Sequence, residues 1–169
     1  MGKYLCNLRD IDSNNIDLIG GKGANLVELS QIRDIKVPNG FCITVDAYKE
    51  VYKSIDNIKA LTNELKKVNP DRIDSIKDIS KKIRGTIEQI DFPEVILNKL
   101  NKQLSKYNLD KAFAVRSSAT AEDLPKASFA GQHDTYLNVI GKDSIINSIK
   151  KCWASLFTER AIIYRNQNE

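Results

Sequence analysis

Two short segments hold the residue types that binding a polyphosphate requires: glycine, a fixed cation, and a place at a helix start or a strand end. The first is Gly20-Gly21-Lys22-Gly23. Glycines let backbone amides come close to an anion, the helix that follows offers its positive end, and the Lys22 ammonium adds a full charge. This is not a Walker A loop, because Lys22 is followed by Gly23 rather than Ser or Thr and the upstream glycine spacing is missing. A glycine turn with a solvated lysine is the alternative. The second segment is Arg116-Ser117-Ser118, together with the loop end Ser128-Phe129-Ala130-Gly131-Gln132. A planar, permanently charged guanidinium suits bidentate phosphate contact, and hydroxyls with the amides around Gly131 can complete a cradle. The alternative makes Arg116 a structural ion-pair partner of Glu122 or Asp123.

These segments need elements to hold them. Ile16 to Ile19 leads into the glycine turn, and Leu26, Leu29 and Ile32 then share one side at helical spacing. Pro38-Asn39-Gly40 is a turn before a predicted strand from Phe41 to Val45, and Thr44 or Asp46 can cap the next helix. Apolar stripes follow: Tyr48, Val51, Tyr52 and Ile55, then Ile58, Leu61, Leu65 and Val68, then Ile73, Ile76, Ile79, Ile83, Ile87 and Ile90. Asn69-Pro70-Asp71 interrupts them, and Pro93 opens a further helix lined by Ile96, Leu97, Leu100 and Leu104. Such stripes bury one face of a helix as a rule, so the middle of the chain is scaffold. Lys111 to Val115 reads as a strand that delivers Arg116 at its end. The stretch 120–132 has no helical or strand periodicity and reads as a long loop. Thr135 to Ile140 is the next strand, with Thr135, Leu137 and Val139 on one face, and Gly141 and Asp143 start a helix carrying Ile145, Ile149, Cys152, Leu156 and Phe157. No repeat and no Ser/Gly linker divides the chain.

Composition narrows the classes. With 169 residues, 41% apolar and 28% charged, the chain suits a globular domain with a real core. No apolar run approaches the ~20 residues of a membrane span, and the first residues do not resemble a secretory signal, so a cytoplasmic location is expected with no membrane partner. The net charge of +4 is mild, and the lysines are interleaved with acids as on a solvated face, which argues against nucleic-acid binding. Cys6, Cys42 and Cys152 form no CxxC pair and are expected to be reduced and mostly buried.

Four blocks, GGKGANLVEL, VPNGFCITVDAY, AVRSSATAEDLPKASFAGQHDTYLNV and KKCWASLFTERAIIYR, resemble the amino-terminal ATP-binding region of the phosphoenolpyruvate synthases and, equally, of the rifampin phosphotransferases. The pyruvate phosphate dikinases are less similar, their loop differing from TAEDLPKASFAGQ. The resemblance implies an α/β (α+β) chain, the amino-terminal lobe of an ATP-grasp-like fold, with a small mixed sheet and several amphipathic helices. It implies that Lys22 and Arg116 contact ATP phosphates, and that the loop at Phe129 to Gln132 closes over them. In such enzymes phosphate passes from ATP to a histidine on a swivelling domain, and then to pyruvate or to a drug hydroxyl. Residues 1–169 would then be an incomplete ATP-binding domain. The second lobe, with most ligands of Mg2+, and the carrier and acceptor domains would be its partners in a longer protein. No catalytic or metal-binding residue is assigned to this chain, which by itself is expected to be inactive. His133, the one histidine, lacks the Thr-Ser-His setting of the family's phosphorylated histidine. Pyruvate is the leading acceptor, rifampin the alternative, and a non-catalytic nucleotide-binding module the reading from another class.

Overall fold

The computed structural model describes residues 3–70, 72–118, 123–124, 127–128 and 134–168, leaving out the side chains of 123, 124, 127, 128, 167 and 168. The elements in order are β1 (Leu5–Asn7), α1 (Ile16–Gln31), β2 (Phe41–Ile43), α2 (Val45–Lys53), α3 (Ile58–Lys67), α4 (Ile73–Gln89), α5 (Glu94–Leu104), β3 (Phe113–Arg116), β4 (Asp123–Leu124), β5 (Ala127–Ser128), β6 (Thr135–Val139), α6 (Lys142–Ala154), a 3-10 turn (Ser155–Phe157) and α7 (Glu159–Asn168). The fold is thus mixed α and β. In place of one small mixed sheet, the described strands form three separate antiparallel pairs, β1–β2, β3–β6 and β4–β5. No helix among the described residues is long and apolar enough to cross a membrane.

Two compact units divide the chain. One comprises Met1–Val51, Phe92–Lys106 and Ser118–Ser128, the other Tyr52–Asp91, Tyr107–Ser117 and Phe129–Glu169. Each is assembled from three stretches of sequence, which is why no linker marks the division.

In the first unit, Tyr4, Cys6 and Leu8 are buried while Leu5 and Asn7 are half-buried, the alternation of a strand with one face on a core. This three-residue strand is absent from the sequence reading. Its inner face meets α1, and Cys6, Leu8, Ile11, Ile19, Ala24 and Val27 form the core with Cys42 packed against them. The buried side of α1 is therefore Gly23, Ala24 and Val27, and Leu29 and Ile32 face solvent instead of the core. Small residues win this face because the helix lies close on the ladder: a Cβ on Gly23 would stand 3.3 Å from Cys42 Sγ. Gln103 on α5 donates to the Asn7 side chain and ties that helix to β1.

The strand expected to reach Val45 ends at Ile43 because Thr44 becomes the cap of α2. Its hydroxyl accepts from the Ala47 N–H at 3.3 Å and donates to the Lys3 carbonyl at 2.8 Å. Thr44→Ala removes both bonds at a buried site, a loss of about 1–2 kcal/mol. Amide exchange in the first turn of α2 should rise about five- to thirty-fold in the full-length protein. An unchanged rate would show that the cap contributes nothing.

The second unit is built on α4. Ile76, Ile79, Ile83 and Ile87 recur at spacings of three and four, and all are buried. Ile79, Ile83 and Ile87 pack with Ile55, Ile58 and Ala154, and with the partly buried Tyr52, Leu61, Leu65, Trp153 and Phe157. Ser80, buried among them, donates to the Phe157 carbonyl at 2.6 Å. Asn138 departs from the expected alternation in β6. Its φ of 55° accompanies a register shift between Phe113 and Val115, so Thr135 and Leu137 stay exposed together, Leu137 at 67%, while Val139 leaves their face and is buried.

Candidate functional site

Gly20 interrupts α1 with φ 72° and ψ 170°, a conformation that side chains rarely adopt. Residues 16–19 form one helical turn, and a new helical run starts at Gly21. Its leading amides have no carbonyl one turn upstream on the same axis, and they carry the positive end of the helix dipole. Gly20, Gly21 and Gly23 are buried, whereas Lys22 between them is half-buried.

What holds the break open is Ser118. Its hydroxyl accepts from the Gly23 N–H at 2.9 Å and donates to the Ile19 carbonyl at 2.7 Å. One side chain thus satisfies a donor after the break and an acceptor before it. The fit is close: a Cβ on Gly20 would overlap the Ser118 carbonyl group and lie 2.6 Å from Ser118 Oγ. Ser118, the last residue of the Arg116-Ser117-Ser118 segment, therefore meets the glycine break inside the first unit, while Arg116 and Ser117 belong to the second unit. Ser118, expected among the phosphate contacts, has its hydroxyl engaged within the protein. It donates to the Ile19 carbonyl and accepts from the Gly23 N–H.

Arg116, the last residue of β3, belongs to the second unit, is exposed, and stands opposite Thr135 in the β3–β6 ladder. That strand end is fixed from behind. Cys152 on α6 has its Sγ 3.8 Å from both the Val115 and the Asp134 carbonyl oxygens, and the Asp134 N–H is 3.4 Å from Ser155 Oγ. Tyr136 donates to Asp134 Oδ2 at 3.1 Å; burial first, then the Asp134 charge, pushes the tyrosine hydroxyl above its ordinary range. Ser117 is half-buried. Phe129, Ala130, Gly131, Gln132 and His133 lie outside the described residues, as do Glu122 and the Asp123 side chain, the alternative partners of Arg116. Ser128 is described only through its backbone, opposite Asp123 in β4–β5. Part of the expected loop is therefore a ladder, with two residues in each strand, too short for periodicity to register.

The described residues hold no group of three or more His, Cys, Asp or Glu placed to bind a metal. A cleft of about 590 Å³ in the first unit is lined by Leu8, Arg9, Ile11, Val27, Ile35 and Val37 among others, and by none of the glycine-turn residues. What the first unit offers is a built turn with a helix start and a lysine, a setting suited to an anionic group.

The family profile described as "Pyruvate phosphate dikinase, AMP/ATP-binding domain" matches residues 16–169. A rifampicin phosphotransferase of Streptomyces sviceus is 48% identical over 98% of the chain, and one of Bacillus subtilis is 46% identical over 99%. A probable phosphoenolpyruvate synthase of Methanocaldococcus jannaschii is 41% identical over 98%. The chain spans 19% of the length of each of the first two and 14% of the third.

Proposed function

We infer that this chain, which belongs to the pyruvate phosphate dikinase family of AMP/ATP-binding domains, is one wall of the ATP site of a phosphotransferase with an ATP-grasp-like fold. The observation that carries this reading is the glycine break clamped by Ser118, which presents the start of a helix and Lys22 together. Bound ATP supplies the phosphoryl group. Lys22 and Arg116 each place a cation against its phosphates, Ser117 and the loop at Ser128 to Gln132 contribute hydroxyl and amide donors, and Ser118 keeps the turn in shape. Most ligands of Mg2+ would lie in the second lobe of the longer protein.

Phosphate then passes to a carrier histidine elsewhere in the full-length protein and on to an acceptor. Rifampicin phosphotransferases are 40–48% identical to the chain and phosphoenolpyruvate synthases 36–43%, and the upper end of the first range is the ground for placing a hydroxyl of a rifampicin-like compound first. Pyruvate is the second reading, supported by the 41% identity to one such synthase over nearly the whole chain.

The test is a chase. The full-length protein is labelled with ATP radioactive in its two terminal phosphates, freed of nucleotide, and given either rifampicin or pyruvate. Label should enter the protein and leave it on rifampicin. Departure on pyruvate as phosphoenolpyruvate would reverse the order of acceptors. A protein that binds ATP and never takes up label would be a nucleotide-binding module instead.

A further inference from the structure

Beneath the glycine turn lie two cysteines that the ATP reading does not use. Cys6 on β1 and Cys42 on β2 are directly opposite each other in the antiparallel ladder. The neighbouring bonds fix the type of pair: the Leu8 N–H reaches the Gly40 carbonyl at 3.2 Å and the Thr44 N–H reaches the Tyr4 carbonyl at 3.0 Å. Hydrogen-bonded positions recur every second residue, so Cys6 and Cys42 form a hydrogen-bonded pair, for which Cα atoms are about 5.5 Å apart. That spacing matches the commonest separation across a disulfide, about 5.5–6 Å.

Both side chains point to the same face, since Cys6 is part of the core of the first unit and Cys42 packs against it. They are in contact as well. Each thiol acts on the other, Cys42 holding the Cys6 thiol below its ordinary range and Cys6 pushing the Cys42 thiol above its own. Cys6 Sγ is also 3.9 Å from the Cys42 carbonyl. Cys42 is half-buried, which leaves the pair a side open to a small oxidant. Its sulfur would be 3.3 Å from a Cβ placed on Gly23, so whatever happens at this pair happens directly under the Lys22–Gly23 backbone.

We propose that Cys6 and Cys42 are a reversible oxidation site, joined as a cross-strand disulfide by a hydroperoxide. The Cys6 thiolate takes one oxygen from the hydroperoxide, whose O–O bond breaks to release an alcohol, or water from hydrogen peroxide. Cys42 then attacks the resulting sulfenic acid, the S–O bond breaks, that oxygen leaves as water, and the S–S bond forms. Two thiols give up two electrons and two protons, and the hydroperoxide takes up both. A dithiol reverses the step by exchange.

The test is peptide mapping of the full-length protein treated with hydrogen peroxide in native buffer, then alkylated and cut with trypsin. The Tyr4–Arg9 and Val37–Lys49 peptides should appear joined, two hydrogens lighter than their sum, and separate again after dithiothreitol. Cys152, in the Cys152–Arg160 peptide, should be recovered unlinked. In Cys6→Ser the joined species should vanish while Cys42 becomes fully alkylated. Because the mapping is done on the parent protein, it stands even if that variant folds poorly, and it requires no ATP. Recovery of Cys6 only as free thiol or sulfinic acid would overturn the proposal. So would linkage of Cys6 to Cys152 as often as to Cys42.

Discussion

Replacing Gly20 by alanine should loosen the first unit by about 3 kcal/mol or more, read as amide exchange over residues 21–31 at least about a hundredfold faster in the full-length protein. Two costs add. At φ 72° and ψ 170° the backbone lies in a region that only glycine occupies freely, and a side chain there costs about 1–3 kcal/mol. The new Cβ would also overlap the Ser118 carbonyl group, and forcing an atom into a packed site adds about 1–3 kcal/mol. Relief comes only by moving Ser118 away, which breaks its bonds to Ile19 and Gly23. Gly85→Ala is the matched control. A Cβ at Gly85 meets nothing within 4 Å, and the residue is inside α4, so alanine should stabilise by about 0.5–1 kcal/mol. If the two variants behaved alike, Gly20 would be an ordinary helix glycine and the clamped turn would have no energetic meaning.

Lys22→Ala and Arg116→Ala should each slow ATP-dependent labelling of the full-length protein by about ten- to a hundred-fold. A charge-assisted contact to a phosphate is worth about 1.5–3 kcal/mol, and each 1.36 kcal/mol is about tenfold. Neither substitution should disturb the fold, because Arg116 is exposed and Lys22 is half-buried, with no place in the apolar core of the first unit. Lys81→Ala, at an exposed site on α4, removes a charge of the same kind and should leave the rate within a factor of about two, since surface changes of this sort are worth about 0.5 kcal/mol or less. The comparison separates a lost phosphate contact from a lost surface charge. Variants that used ATP as well as Lys81→Ala does would end the assignment.

How much of this was legible in the sequence follows from how far each feature reaches along the chain. The isoleucine face of α4 from Ile76 on, Pro93 at the head of α5 and Arg116 at a strand end are local patterns, and the structure has them where the spacing puts them; the expected glycine turn is instead a single break at Gly20 inside α1, with Gly21 to Gly23 helical, and Ile73 is 57% exposed. The Thr44 cap is equally local. The three-residue β1 was legible only in the alternation of Tyr4, Cys6 and Leu8, too brief to stand out beside charged neighbours. Leu29 and Ile32 share the helix period with Leu26, but period alone does not say which face a helix buries. Here the small residues took it because the backbone had to come close to Cys42. Asn138 shows a different limit. One left-handed residue took Val139 off the face that strict alternation shares with Thr135 and Leu137. Of the candidate site, the residue types of both phosphate segments were readable. The Ser118 clamp was not, because nothing local marks a hydroxyl that finds its partners 95 and 99 residues away.

That separation also governs when the turn can exist. The first unit draws on Met1–Val51, Phe92–Lys106 and Ser118–Ser128, so its parts leave the ribosome in instalments with the second unit's segments between them. At about 5–20 residues per second, the 95 residues between Gly23 and Ser118 take roughly 5–20 s to make. During that interval the nascent chain carries a glycine break with no clamp and a helix whose leading amides meet only water. The Gln103 bond to Asn7, across 96 residues, is delayed for the same reason. A nascent chain stopped short of Ser118 should therefore hold the first helix without the clamped turn, and the turn should lock only once Ser118 emerges.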